Sequence, residues 1–210
     1  MRKCKFKLFL GCGLILLFAL WTTIITLVNV EPIGPLESYV GLAVLNQYFH
    51  NCIGVNMVLY VITDWLGLVP LAVVLGFAVA GLVQWIKRKH LFKVDRDILA
   101  LGVFYVVVFA CYMLFEELRI NYRPILIAGI LEASYPSSTT MLTLCVMPVT
   151  ALQVQKRVTS RGVRIILIAM IVLFSLFMLF GRVISGVHWI TDIIGGCLLS
   201  AGLVLLYSYF

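Results

Sequence analysis

The chain has 210 residues, of which 63% are hydrophobic and only 12% are charged. Soluble globular domains have about 45–50% apolar and about 25% charged residues, so this composition excludes a soluble globule, a disordered chain and a collagen. The formal net charge is +7, but the basic residues flank apolar segments, which indicates membrane topology and argues against a nucleic-acid partner.

A helix needs about 20 mainly apolar residues to cross the hydrocarbon core of a bilayer. In chain order, the apolar stretches predict one all-α domain over residues 1–210, a bundle of six transmembrane helices: 8–30, 65–86, 98–115, 137–154, 163–181 and 189–209. The first stretch is too long for the apolar core of a signal peptide and has no cleavage site, so we expect it to be retained. Residues 38–63 are expected at the interface, which keeps Asp64 out of the hydrocarbon.

The distribution of Lys and Arg predicts the orientation of these spans. With a cytoplasmic N-terminus, thirteen of the sixteen basic residues fall in cytoplasmic segments, where positive charge accumulates. The C-terminus is then cytoplasmic as well, and only Arg119, Arg123 and Arg182 remain on the extracytoplasmic side. Six short-looped spans without a glycosylation-rich ectodomain favour a bacterial plasma membrane.

The six cysteines are scattered and form no CxxC pair. They are typical of small apolar side chains inside spans. The sequence therefore predicts neither a metal site nor a cofactor.

The segment between the fifth and sixth spans carries the most specific chemistry. His188 and Asp192 are four residues apart and share one face of a helix, so the carboxylate can fix the tautomer of the imidazole. The second ring nitrogen is then free as a base or a nucleophile. Arg182, across a glycine-containing turn, has a planar guanidinium that suits a phosphoryl group.

Two further outer segments complete this set of groups. Arg123 supplies a second guanidinium, and Pro136 opens the fourth span, with Ser137, Ser138 and Thr139 in its first turn. The unpaired N–H groups and the helix dipole at such a turn favour a bound anion. Together these groups predict a metal-free phosphoryl-transfer site at the outer interface, within reach of a lipid headgroup.

At these residues the chain resembles the type 2 phosphatidic acid phosphatase superfamily of membrane lipid phosphatases. That family has three motifs, KxxxxxxRP, PSGH and SRxxxxxHxxxD. The third motif runs here from Arg182 through His188 to Asp192, with Gly181 in place of its serine. The other two are degenerate, and they correspond to Arg123-Pro124 and Pro136-Ser137-Ser138-Thr139.

The resemblance implies a role for each matching residue. His188 is the expected nucleophile that forms a phosphohistidine, and Asp192 orients it. Arg123 and Arg182 bind the phosphoryl oxygens, helped by Ser137 and nearby backbone N–H groups. Ser138 and Thr139 are further candidates for phosphate binding. Water then releases phosphate without a metal.

Two of the departures from the family pattern matter for the chemistry. The lysine of the first motif falls at Glu116, and Arg119 is a candidate to supply the missing positive charge. The histidine of the second motif is the general acid of the family. It falls at Thr139, and a threonine hydroxyl cannot act as a general acid near pH 7. General acid catalysis contributes about 10²–10⁴-fold, and its loss matters less where the leaving group is itself a phosphate. We therefore expect a lipid diphosphate, such as a polyprenyl diphosphate, in preference to a phosphatidic acid monoester.

The same residues also fit other interpretations. His188 also fits an interfacial histidine, Arg123 a snorkelling anchor, and the Pro136 segment a plain helix cap. The chain also fits a catalytically silent relative that binds or transports a phospholipid, or a lipid phosphotransferase that passes the phosphoryl group to another acceptor. The expected partners are a lipid phosphate or diphosphate and membrane lipids, and a homodimer remains open.

Overall fold

The computed structural model describes the backbone of residues 2–209 and the side chains of residues 5–209. The basic side chains of Arg2 and Lys3, which contribute to the predicted orientation, therefore lie outside the described residues. Within residues 2–209 there are eight α-helices and no β-strands, and β-structure is limited to isolated bridges. The eight helices are α1 (Arg2–Leu27), α2 (Ala43–Ile53), α3 (Met57–Leu66), α4 (Leu68–Arg88), α5 (Arg96–Leu118), α6 (Ser138–Arg157), α7 (Arg161–Ser185) and α8 (Ile190–Tyr207).

Five segments are long and apolar enough to cross a membrane, and they confirm the polytopic all-α architecture. They are Lys5–Leu27, Met57–Arg88, Arg96–Leu118, Arg161–Ser185 and Ile190–Tyr207. Many of their large apolar side chains are exposed on the outside of the bundle, as expected of surfaces that face lipid.

The predicted fourth span corresponds to α6, which is not among these five segments. Its threonines, Gln153 and two basic residues lower its hydropathy. This helix packs against α4, α5, α7 and α8, so Thr140, Thr143 and Gln153 lie inside the bundle, whereas the basic residues at its end are exposed. Gln153, for example, is buried and donates to the Tyr207 hydroxyl at 2.9 Å.

The second span differs from its predicted bounds of 65–86. Helices α3 and α4 together form a 32-residue apolar segment, interrupted at Gly67, so Asp64 lies within the segment and not before it. The Asn56 side chain caps α3 by accepting from the Leu59 N–H at 3.0 Å. Asp64 is tolerated at this depth because it pairs with Arg182, at 2.9 Å between carboxylate and guanidinium.

A tight turn between α7 and α8 sets the position of His188. Gly186 ends α7 with a φ of 65°, in the left-handed region that favours glycine. A Cβ atom there would lie 1.8 Å from the carbonyl oxygen of Gly54. Only glycine lets this turn approach the segment between α2 and α3, and α3 then packs along the C-terminal end of α7.

Candidate functional site

The candidate site forms where the α7–α8 turn meets the segment between α5 and α6. Two stretches of that segment run side by side: the Arg123 N–H donates to the Glu132 carbonyl at 3.1 Å, and the Ser134 N–H donates to the Asn121 carbonyl at 2.9 Å. Trp189 joins this pair to the turn by donating its indole N–H to the Tyr122 carbonyl at 2.7 Å. The residues of all three predicted motifs therefore lie at one end of the bundle.

The imidazole of His188 reaches Asp192 through a serine. The distance from His188 Nδ1 to Asp192 Oδ2 is 3.8 Å, too long for the direct hydrogen bond expected from the sequence. The Ser134 hydroxyl lies between them, 3.2 Å from His188 Nδ1 and in hydrogen-bond contact with Asp192 Oδ2. With the serine donating to the carboxylate, its oxygen can accept the Nδ1 proton, and this arrangement leaves Nε2 with its lone pair.

Asp192 is fully buried and held by donors from three parts of the chain. Besides Ser134, the Trp189 N–H donates to Oδ2 at 3.0 Å and the Asn121 amide donates to Oδ1 at 3.1 Å. The carboxylate is therefore fixed in position before any substrate binds.

His188 has a lowered pKa, at about 4. The main cause is burial, which disfavours the charged imidazolium, and the nearby guanidinium of Arg123 acts in the same direction. The nearby carboxylate of Asp192 opposes both effects, but its influence on the pKa is smaller. The imidazole is therefore neutral at pH 7, the state in which a histidine is nucleophilic.

Arg123 lies beside the second nitrogen of this imidazole. It is 8% exposed, and its Nη1 is 3.4 Å from His188 Nε2. Its Nε forms an ion pair with Glu132 at 2.9 Å. Arg123 is therefore placed to contact an anion at this ring nitrogen, as the sequence predicts.

Arg182 is fully buried near the start of α6. Its Nη2 donates to Asp64 Oδ1 at 2.9 Å and to Thr139 Oγ1 at 2.5 Å. Its Nε and Nη1 are buried and have no hydrogen-bond partner among residues 2–209. Two unsatisfied guanidinium nitrogens are costly to bury, and an anion such as a phosphoryl group would satisfy both.

Tyr60 brings the two arginines into one site. The guanidinium carbons of Arg123 and Arg182 lie 5.8 Å and 5.1 Å from the centre of its ring, both within cation–π range. Both cations therefore contact the same aromatic ring.

The remaining predicted residues occupy different positions around this centre. Ser137 is fully buried, with its N–H donating to the Asp192 carbonyl at 3.0 Å and its hydroxyl paired with Thr140 at 3.0 Å. It therefore fixes the helix start and is not open to an anion. Ser138 lines two neighbouring cavities, one apolar and one polar, and Arg119 is exposed at the rim of the polar cavity.

Two cavities meet at this end of the bundle. The polar cavity, of about 470 Å³, is lined by the residue set Tyr112, Glu116, Arg119, Tyr122, Arg123, Glu132 and Ser138. The apolar groove, of about 500 Å³, lies between α4, α5 and α6 and has Asp64, Ser138 and Thr139 at its polar end. Because Tyr112 and Ser138 line both, a molecule with a charged head and an apolar tail fits across the junction.

Four contacting residues were not identified from the sequence: Ser134, Asn121, Tyr60 and Asp64. Asp64 gave a signal, since a carboxylate inside an apolar run indicates a functional partner. Ser134 lies two residues before Pro136, but only the folded backbone shows that its hydroxyl lies between His188 and Asp192. No group of three His, Cys, Asp or Glu side chains suited to a metal ion occurs within the described part of the chain.

Similarity to known proteins identifies the family of this chain. The chain is similar to a transmembrane PAP2-type phosphatidylglycerolphosphate phosphatase from Bacillus subtilis of known crystal structure, with 22% identity and a TM-score of 0.47 over 80% of this chain and 92% of that one. No curated protein sequence matches the chain. The family model of the PAP2 superfamily matches residues 100–210, just over half of the chain and the part that contains all three motifs, so the chain belongs to the PAP2 superfamily.

Proposed function

We propose that this membrane protein is a lipid phosphatase that acts through a phosphohistidine on His188 and prefers a lipid diphosphate. The observation that carries the proposal is the neutral, buried imidazole of His188 beside two buried guanidinium groups. Binding alone requires cations, but it does not require an imidazole held by a serine and a carboxylate.

The proposed first step transfers the terminal phosphoryl group to His188. The lone pair of Nε2 attacks phosphorus while the P–O bond to the leaving group breaks, and the leaving oxygen keeps the bonding electrons. Arg123 and Arg182 stabilise the charge that spreads over the phosphoryl oxygens. Asp192, through Ser134, stabilises the positive imidazole ring that results.

The second step is hydrolysis of the phosphohistidine. Water adds to phosphorus, the P–N bond breaks, and its electrons return to Nε2, which restores the neutral imidazole. The products are inorganic phosphate and the lipid that has lost one phosphate. No step needs a metal or a cofactor.

The preference for a diphosphate rests on Thr139. Its hydroxyl accepts from Arg182, and a threonine has no acidic proton to give to a leaving alkoxide. A phosphate leaving group departs without protonation, whereas an alkoxide gains up to about 10²–10⁴-fold from a general acid. A polyprenyl diphosphate therefore suits this site better than phosphatidic acid.

The cavities support a substrate with a long apolar tail. The apolar groove continues into a second chamber of about 630 Å³ between α4 and α5, and both are lined by Val74 and Tyr105. The distance from Asp64 to Trp85, measured along α3 and α4, is about 30 Å. The tail would enter sideways from the bilayer, and the distribution of Lys and Arg supports an extracytoplasmic site.

One observation favours a second candidate, a silent relative that binds a phospholipid without turnover. Thr139 occupies the position of the family's general acid and is committed to Arg182. This candidate predicts retained lipid binding with no release of phosphate.

Phosphate release by purified protein in detergent, with EDTA present, tests the proposal. The substrates are undecaprenyl diphosphate, farnesyl diphosphate, phosphatidic acid and phosphatidylglycerol phosphate. We expect release from the diphosphates, strongly reduced in His188→Ala and retained in the control His90→Ala, which lies beyond the other end of α4. Equal cleavage of both substrate classes would contradict the diphosphate preference, and lipid binding without release would favour the silent relative.

A further inference from the structure

Asp64 is an acidic side chain in direct contact with a cation that the proposed function assigns to phosphate. It comes from α3, outside the three motifs and outside the matched residues 100–210. Its carboxylate lies 2.9 Å from Arg182 Nη2, and its side chain is 57% exposed whereas that of Arg182 is 1% exposed. The ion pair therefore joins a buried cation to a carboxylate at the mouth of the apolar groove.

The contacts of Arg182 divide its guanidinium into a protein side and a substrate side. Nη2 is bound by both Asp64 and Thr139, which holds the plane of the group in one orientation. Nε and Nη1 have no partner within residues 2–209 and stay available for a phosphoryl group. Asp64 therefore does not occupy the donors that an anion would use.

The charge of Asp64 nevertheless acts on any anion at this site. A carboxylate that touches the same guanidinium repels a bound phosphate across a few ångströms of a partly dehydrated site. A lipid substrate is also held by its tail in the apolar groove, so it tolerates this repulsion. Inorganic phosphate has no tail to hold it, so the repulsion acts mainly on the product.

We propose that Asp64 has two effects on Arg182: it is a positioning residue that orients the guanidinium, and its charge weakens the binding of inorganic phosphate so that product leaves. This inference rests on the proposed function for its biological meaning. The effect of the Asp64 charge on the affinity for inorganic phosphate can be measured without turnover.

The test compares inorganic phosphate binding by isothermal titration calorimetry in the full-length protein and in three variants. Asp64→Asn keeps an oxygen that accepts from Arg182 and removes the charge, whereas Asp64→Glu keeps the charge. Asp97→Asn is the matched control, because Asp97 forms an ion pair with Arg157 at 2.7 Å far from the site. We expect the Kd for phosphate to fall by about tenfold in Asp64→Asn and to change little in Asp64→Glu and Asp97→Asn.

Turnover of farnesyl diphosphate adds a second readout. Asp64→Asn is expected to lower the inhibition constant of phosphate in parallel with the Kd and to lower kcat if product release limits the rate. Unchanged or weaker phosphate binding in Asp64→Asn would overturn the inference while leaving the phosphatase proposal intact. Phosphate binding that depends on Asp64 as expected, in a protein that releases no phosphate from any lipid, would overturn the proposed function and support the inference.

Discussion

His188 and Asp192 are 3.8 Å apart between Nδ1 and Oδ2, and the hydroxyl of Ser134 occupies the gap. A hydroxyl both accepts and donates, so it passes the orienting effect of the carboxylate to the ring. The chain Asp192–Ser134–His188 thus gives the imidazole a defined tautomer with Nε2 facing Arg123. The motif spacing identified the two ends of this chain, whereas its middle member depends on the fold.

Removal of the serine hydroxyl tests this arrangement. We expect Ser134→Ala to lower kcat about 10²-fold with little change in KM, because a misplaced nucleophile slows the chemical step more than it weakens binding. Ser134→Thr keeps the hydroxyl and is expected to restore much of the rate. Ser175→Ala, which removes a serine hydroxyl from the middle of α7, is the control. A wild-type kcat in Ser134→Ala would show that Asp192 orients His188 without the serine.

The lowered pKa of His188 has consequences for both reactivity and stability. Burial and Arg123 hold this pKa at about 4, below the ordinary 6.5. Because the pKa of His188 is lower in the folded protein than in the unfolded chain, the free energy of unfolding is highest above about pH 6.5. It decreases as the pH falls from about 6.5 through 4, since the unfolded chain then binds the proton more readily. The nucleophilic form is accordingly populated at every pH above about 5.

Nuclear magnetic resonance of labelled histidine measures this pKa directly, since the chain has only three histidines. We expect the His188 ring to titrate near pH 4 and its pKa to rise in Arg123→Gln, which removes a neighbouring positive charge. His188→Ala identifies the signal. Titration of that ring at its ordinary pKa would contradict the burial and the arginine contact.

Helices α4 and α5 line both cavities in which the proposed lipid tail would lie. The apolar groove and the chamber below it follow these two helices over most of their length. Gly102 lines the lower chamber, and a Cβ added there would meet no atom within 4 Å. Gly76 is equally unobstructed but lines neither cavity.

A larger side chain at Gly102 is expected to shorten the tail that fits. In Gly102→Leu we expect kcat/KM to fall for undecaprenyl diphosphate and to stay close to wild type for farnesyl diphosphate, whose short tail ends above the chamber. The control is Gly76→Leu, which places the same side chain outside both cavities. An equal loss for both substrates, or none for either, would place the tail elsewhere.

Helices α6 and α3 show how far hydropathy alone predicts the elements. The bounds of α6 followed from its start at Pro136, but its threonines, Gln153 and Pro148 face other helices and lower the apolar signal of a buried helix. Asp64 was expected outside the span because an isolated carboxylate is costly in lipid. Its partner Arg182 is 118 residues away in the sequence, so the ion pair that removes this cost depends on long-range packing.

The whole molecule has an apolar exterior and a polar interior at one end. Fully buried polar side chains, among them Ser137, Arg182, Thr191 and Asp192, gather around the α7–α8 turn. In a bilayer this distribution keeps buried charge away from lipid and places a dehydrated site with two guanidinium groups beside an apolar groove. Motif order and span count predicted this arrangement because each motif adjoins the end of a span, whereas the contacts within the site required the packed bundle.

The central claim is that His188 carries the phosphoryl group between the two steps. Rapid quenching of the full-length protein with farnesyl diphosphate labelled in its terminal phosphate measures this directly. We predict a base-stable, acid-labile phosphoryl label on the protein, located at His188 by peptide mass spectrometry and lost in His188→Ala but retained in His90→Ala. Release of phosphate with no such label, or with the label on another residue, would contradict the account.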